Sequence, residues 1–331
     1  MTYQKNAPLN FALIGCGRIS QVYLQAFASI PECRLKCVSD LCQQAMQNAV
    51  GEYACKDYTD FRQILDENHI DAVVVCTPPN THMEIATFFM ENGVHVLCEK
   101  PLALNAKEAE TMVKMGAGNG CLLMMASKFR YVDDIIKAKS IIESGILGDI
   151  LLFKNAFCSK VDMKDRWNSK KEISGGGVLI DNGCHSVDIA RYLLGPIVKV
   201  QAEEGKKVQQ LEVEDTSRLY FRTQSNVMGV VDLSWSIPME KESYIYLYGT
   251  KGVLSAGWKS SKYKQNGKID WIHFGSGYDK ISAFRRQICN FIGSIKGTEI
   301  PLINGEDSFQ SVKVIEAAYK SASMNKWVEI K

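Results

Sequence analysis

The chain has 331 residues, of which 46% are hydrophobic and 23% charged, with 25 glycines and 8 prolines. That make-up excludes a disordered, collagen-like or low-complexity chain, and the length suits two domains that each bury a core. Lys and Arg number 39 against 37 Asp and Glu, a formal charge of +2. This gives no electrostatic reason to expect a nucleic acid or an anionic membrane as partner.

The 11 cysteines contain no CxxC pair, and Cys76, Cys98 and Cys121 lie inside apolar runs. A free thiol there packs as a small hydrophobe. Met1–Asn10 has no apolar run behind a basic stretch, so no secretory signal is expected, and a reducing cytoplasm suits the thiols. No stretch approaches the ~18 consecutive apolar residues of a membrane span.

In chain order, Leu9–Ile14 reads as a strand ending in glycine, followed by helical spacing over Ile19–Ile30. Strands follow at Arg34–Ser39, Ile70–Thr77, Val94–Cys98 and Cys121–Ala126, with helices at Thr81–Asn92 and Ala106–Met115. Strands alternating with crossover helices imply a parallel sheet covered on both faces. Near Asp149 the pattern changes to alternating polar and apolar residues, as in Ile150–Cys158, Asp215–Thr223 and Val227–Ser236. Such alternation suits antiparallel strands buried on one face. The expected division is a first domain over 1–127 and a second over 128–331, with helices near Lys280–Ser294 and Glu306–Ser323 able to pack back on the first.

Gly15-Cys16-Gly17 closes the first strand and opens a helix. Gly15 permits a tight turn, Gly17 lets a pyrophosphate approach the backbone, and the amides of Arg18 and Ile19 at the helix start face its charge. Ser20 replaces the third glycine of the full fingerprint. Asp40 ends the second strand, 23 residues after Gly17, near the offset of an acid that binds a ribose 2′-hydroxyl. An Asp there also serves as a helix cap. The following Leu41-Cys42-Gln43-Gln44 offers no cation for a 2′-phosphate, which favours NAD over NADP.

Two more strand ends carry chemistry: Thr77-Pro78-Pro79-Asn80-Thr81-His82 and Glu99-Lys100-Pro101. In an open parallel sheet both line the crevice that holds the glycine loop. In the second half, Gly175-Gly176-Gly177 precedes a helix expected over Val178–Leu194, which puts Asp181, His185 and Asp188 on one stripe. An imidazole between two carboxylates suits proton transfer near neutral pH. A surface stripe, or a core His satisfied by Asp188, has the same spacing. The three glycines leave room for a substrate or cofactor against the backbone. No His lies at metal-ligand spacing with a second His or Cys, so no metal is expected.

With GCGRIS, VSD, CTPPNTH, CEKP and GGGVLIDNGCHSVDIARYLLG in this order, the chain resembles the Gfo/Idh/MocA family of NAD(P)-dependent oxidoreductases. The resemblance implies an α/β chain: an N-terminal Rossmann domain, then an α+β domain on an open, mainly antiparallel sheet. That sheet's outer face would make a homodimer or homotetramer. The family's catalytic Lys, Asp and His match Lys100, Asp181 and His185. Lys100 or His185 would take the hydroxyl proton as hydride leaves for nicotinamide, and Asp181 would set His185 or bind a substrate hydroxyl. Glu99, Asn80 and His82 match positions around the nicotinamide and its ribose, with Thr77 and Pro78 in the same loop. Lys128-Phe129-Arg130-Tyr131 stands where many members carry an Asn before Arg-Phe, and Arg130 is the residue there expected to meet substrate.

The family oxidises secondary alcohols of sugars, cyclitols and nucleotide sugars. Lys160, Lys164, Arg166, Lys170 and Lys171 cluster around Trp167, which suits a diphosphate and a ring, or simply a solvated charged loop. DNGCHSVD and the run Gly257-Trp258-Lys259 through Lys262-Tyr263-Lys264 most resemble members that act on nucleotide-linked amino sugars, which implies oxidation of a ring hydroxyl, at C3, of such a sugar. The alternatives are a free sugar or cyclitol dehydrogenase, a glycosidase using transient C3 oxidation, and a non-catalytic NAD-binding regulator.

Overall fold

The computed structural model describes residues 7–330, without the side chain of Glu52. Most of the segment read for a secretory signal, residues 1–6, lies outside the described residues. The chain divides into two units, Met1–Lys128 with Lys280–Gln310 and Phe129–Asp279 with Ser311–Lys331. The late segment Lys280–Gln310, which holds one of the helices expected to be able to pack back, groups with the first unit.

The first unit alternates strand and helix: β1 (Leu9–Ile14), α1 (Ser20–Phe27), β2 (Cys33–Ser39), α2 (Gln43–Tyr53), β3 (Lys56–Tyr58), α3 (Ile64–Glu67) and β4 (Ala72–Val75). It continues through α4 (His82–Glu91), β5 (His95–Cys98), α5 (Ala106–Gly118) and β6 (Leu123–Met125). Every residue of β4 is buried, which is why that segment reads as an unbroken apolar run rather than an alternation. The sheet order is β3-β2-β1-β4-β5-β6, all parallel. The strand order reverses between β1 and β4, and ligands of such sheets sit beyond the carboxyl ends of the strands at that point.

The helix α2 was not foreseen, because only Met46 and Ala49 of its residues enter the core and two apolar positions carry no clear period.

The second unit holds α6 (Asp133–Glu143), β7 (Ile150–Cys158), α7 (Lys171–Ser174), α8 (Val178–Asp181) and α9 (Gly183–Leu194). Strands β8 (Ile197–Glu204), β9 (Thr216–Thr223), β10 (Met228–Ser234), β11 (Ser243–Gly249), β12 (Gly252–Gly257), β13 (Ser261–Gln265) and β14 (Ile272–Gly275) follow. Helix α10 (Lys280–Ile295) lies in the first unit, α11 (Gly305–Met324) passes from the first to the second at Ser311, and β15 (Val328–Glu329) closes the sheet. That sheet runs β14-β13-β12-β11-β7-β10-β9-β8-β15 and is antiparallel except where β7 meets β10. Phe153, Asn155 and Phe157 of β7 are buried while Leu152 and Lys154 face outward. Helices α8 and α9 pack on β7, β9 and β10. Among the described residues no helix is long and apolar enough to cross a membrane.

Candidate active site

The first unit gathers the glycine loop and Asp40. Gly15 has φ +92°, and a Cβ there would stand 2.8 Å from the backbone of Cys76 and Thr77, so the turn between β1 and α1 admits only glycine. A Cβ on Gly17 would meet nothing within 4 Å, so the loop opens to a ligand at that residue. Gly15 N–H donates to Ser39 O at 2.7 Å and Cys16 N–H to Asp40 Oδ2 at 2.6 Å. The amides of Gly17, Arg18 and Ile19 make no protein hydrogen bond among the described residues, and they stand at the start of α1. A pyrophosphate is the ligand such amides accommodate. Ser20, fully buried, donates its hydroxyl to Gly17 O at 2.5 Å and ties the loop where a third glycine is usual.

Asp40 also accepts Cys42 N–H through Oδ1 at 2.7 Å, so it caps the turn before α2 and braces the glycine loop together. Its carboxylate keeps further lone pairs for a ribose diol. Burial, with Asp40 beside it, pushes the Cys16 thiol up to about 12, so the loop holds no thiolate nucleophile. These features fit NAD: free amides, an open glycine and an acid at the end of the second strand.

At the ends of β4 and β5 the residues sort into two tiers. Thr77, Pro78 and Lys100 are half-buried and Asn80 is exposed, whereas His82 and Glu99 lie beneath them. Both ring nitrogens of His82 face backbone carbonyls, Nδ1 that of Pro101 at 3.0 Å and Nε2 that of Thr77 at 2.9 Å. His82 therefore packs between the two loops with both nitrogens toward protein backbone, and a neutral ring donates to only one of these carbonyls. Burial lowers its pKa.

In the second unit α8 and α9 run on from each other through Asn182, with Asn182 N–H donating to Val178 O at 2.9 Å. Asp181 is half-buried, and His185, one turn on, is 8% exposed. The His185 ring meets Phe129 edge-on at 5.1 Å. Phe129 in turn stacks on Tyr278 at 5.2 Å, and Trp258, exposed, meets Tyr278 at 5.7 Å. An aromatic wall therefore flanks the imidazole. The helix is fastened from below: Ser186 donates to Asn155 Oδ1 at 2.5 Å, and Asn155 Nδ2 donates to Tyr244 O at 3.0 Å. Asn155 was missed, although a lone amide at an inward slot of a strand between Phe153 and Phe157 marks it.

Gly176 and Gly177 do not leave the room for a ligand that their missing side chains suggest. A Cβ on Gly176 would run into the Tyr319 hydroxyl, and one on Gly177 into the backbone and carboxyl of Glu214. Glu214 accepts Gly177 N–H at 3.0 Å, Leu179 N–H at 2.9 Å and the Tyr319 hydroxyl at 2.9 Å. The glycines thus admit an anion from the protein itself, set on the first amides of α8, where the helix dipole favours it. Burial still raises the Glu214 pKa.

Asp188 is not the second carboxylate of a proton-transfer stripe, and Arg130 is not placed to meet substrate. Arg130 is 3% exposed and its Nε lies 3.0 Å from both Asp188 oxygens, with the second contact from its terminal nitrogen at 2.8 Å. The guanidinium also lies over Tyr192 at 5.3 Å. This is a buried ion pair that anchors α9. Arg166 is half-buried, Trp167 is 40% exposed, and Lys160, Lys164, Lys170 and Lys171 all face outward.

Residues 9–127 match a model described as the oxidoreductase family, NAD-binding Rossmann fold, and residues 135–255 match the GFO/IDH/MocA C-terminal domain. A myo-inositol 2-dehydrogenase of Thermotoga maritima is 24% identical over 337 residues, covering 97% of this chain and 98% of its own. Two solved structures share the fold. Levoglucosan dehydrogenase in complex with NADH has a TM-score of 0.91 at 22% identity over 98% of this chain and 99% of its own. The WlbA dehydrogenase of Bordetella pertussis, in complex with NADH and UDP-GlcNAcA, has a TM-score of 0.88 at 24% identity over 100% and 99%.

Proposed function

The chain belongs to the Gfo/Idh/MocA family of oxidoreductases, and from that premise we propose that it oxidises a secondary alcohol of a sugar or cyclitol ring with NAD. When bound, NAD supplies the acceptor for the hydride. The observation that carries the reading is the start of the α8–α9 helix. There Asp181 and His185 stand one turn apart beside an aromatic wall, on amides held by Glu214. In the first unit Lys100 follows β5, and the loop of Thr77, Pro78 and Asn80 follows the neighbouring strand β4. Lys100 polarises the substrate carbon–oxygen bond, Lys100 or His185 takes the hydroxyl proton, and Asp181 orients the imidazole or a neighbouring hydroxyl. General base catalysis of this kind contributes about 10²–10⁴-fold.

The relatives' names support a free sugar or cyclitol: the myo-inositol and levoglucosan dehydrogenases bear them. A second reading, C3 oxidation of a nucleotide-linked amino sugar, is supported by the exposed cations Lys160, Lys164, Lys170 and Lys171 around Trp167 and by the UDP-GlcNAcA complex of the WlbA enzyme. For self-association we propose the outward face of β7, β10 and β11, where Leu152, Met228, Tyr246 and Tyr248 stand uncovered or half-covered.

NADH absorbance with a panel of cyclitols, free and anhydro sugars and UDP-sugars tests the reading. Turnover of cyclitols or free sugars supports it, and turnover confined to UDP-sugars moves it to the second. Aglycone release from a glycoside without net NADH overturns both. Lys100→Ala and His185→Ala should each lower kcat by about 10²-fold or more with NAD affinity nearly intact.

A further inference from the structure

Three buried polar side chains form a line that ends beside Lys100. Gln287 is fully buried on α10, on the same face as Ala283, Phe284, Ile288 and Phe291. Its Nε2 donates to the Tyr23 hydroxyl oxygen at 3.2 Å. Tyr23, fully buried on α1, donates to Glu99 Oε1 at 2.8 Å. Glu99, 7% exposed, accepts Lys100 N–H through Oε2 at 3.2 Å. A tyrosine hydroxyl has one proton, so once it goes to Glu99 its oxygen must accept from Gln287. That fixes which end of the amide faces it and leaves Gln287 Oε1 with no partner.

Packing alone does not ask for this line. The Tyr23 ring already meets Phe284 edge-on at 4.9 Å and Phe27 at 6.4 Å, and a Phe with a facing Leu would fill the space with no buried polar atom. A chain that keeps a carboxyl, a phenol and an amide together in a core sustains a desolvation penalty that an apolar set avoids. The groups facing Glu99 are Tyr23 from α1, the thiols of Cys76 and Cys98 at the ends of β4 and β5, and the ammonium groups of Lys100 and Lys128. Lys100 also faces the buried imidazole of His82. Burial raises the Glu99 pKa, while Lys100, Tyr23 and Lys128 oppose that rise.

We propose that Glu99, held by Tyr23 and Gln287, is a positioning residue that fixes the Lys100 backbone and sets what fraction of Lys100 is the neutral amine. The Tyr23 hydroxyl donates to the Glu99 anion and Gln287 donates to the Tyr23 oxygen, and the anion favours the ammonium form of its neighbour. Removing the anion, the phenol that donates to it, or the amide behind that phenol shifts Lys100 toward the amine. This deepens the reading of Lys100 as a proton acceptor and rests on it.

The test is the pH dependence of Lys100 acetylation by acetic anhydride on the full chain, followed by mass spectrometry, because only the amine reacts. Glu99→Gln should lower the midpoint for Lys100 by about one pH unit or more, the effect of losing a neighbouring opposite charge. Tyr23→Phe should move it the same way by less, and Gln287→Leu by less again. The rising, low-pH limb of the kcat profile should move in step. Unchanged midpoints in folded, NAD-binding variants overturn the inference and make the line merely structural. Should Glu99→Gln fail to fold, Tyr23→Phe and Gln287→Leu carry the comparison. The labelling does not depend on turnover: absent polyol oxidation with shifted midpoints faults the proposed function, and intact turnover with fixed midpoints faults only this inference.

Discussion

The pairing of Arg130 with Asp188 decides whether a residue expected at the substrate belongs there. The perturbation is a cycle of Arg130→Met, Asp188→Leu and the double variant. The two side chains are 4% and 2% exposed and in contact at 2.8 Å. Removing one partner leaves the other charge buried, which costs about 3–5 kcal/mol, whereas replacing both with apolar groups of similar volume is often close to neutral. At roughly 2–4 °C per kcal/mol for a unit of this size, each single variant should lose about 6–20 °C in Tm. The double variant should recover most of that loss. The assay is thermal and urea unfolding of all four proteins, with KM and kcat on whichever ring alcohol turns over. A result of the opposite kind refutes the reasoning. If Arg130→Met loses less than about 0.5 kcal/mol while KM rises and kcat holds, the guanidinium is a substrate contact.

Three further outcomes follow from the same geometry. Asp40→Ala removes the acceptor of Cys16 N–H and Cys42 N–H as well as the ribose partner, so calorimetry should show NAD binding weakened by about tenfold or more; unchanged affinity would discredit the cofactor site. Gly177→Ala forces a Cβ onto Glu214, and urea unfolding should register a loss of about 1–3 kcal/mol together with a fall in kcat; a silent substitution contradicts the packing. Burial raises the folded pKa of Glu214 above its ordinary 4.5. A raised carboxyl contributes stability that is complete below the unfolded pKa and is lost as pH rises through the folded one. Glu214→Gln should therefore shrink the stability difference between about pH 5 and about pH 8, and an undiminished difference would show that this carboxyl does not titrate there.

Much of this protein is decided by local order along the chain. Period-two and period-3.6 patterning with buried apolar runs such as Ala72–Val75 determine the alternation of strand and helix in the first unit, because each element must bury its own face. Gly15 was legible because a positive φ against the backbone of Cys76 admits no other residue, and Asp40 because the end of the second strand always abuts the glycine loop. His185 and Asp181 were legible as a pair one turn apart.

Tertiary structure decided which polar groups are free. Asp188 and Arg130 are 58 positions apart, Gly177 and Glu214 are 37 apart, and Tyr23 and Gln287 are 264 apart. No spacing rule reaches across such separations, so a carboxylate that forms a buried ion pair reads in sequence like one that serves catalysis. The same holds for Gly176 and Gly177, whose missing side chains make room equally for a ligand or for another part of the chain. Only the fold shows that Glu214 and Tyr319 fill that space, because a buried polar group must find its partner wherever the chain brings one.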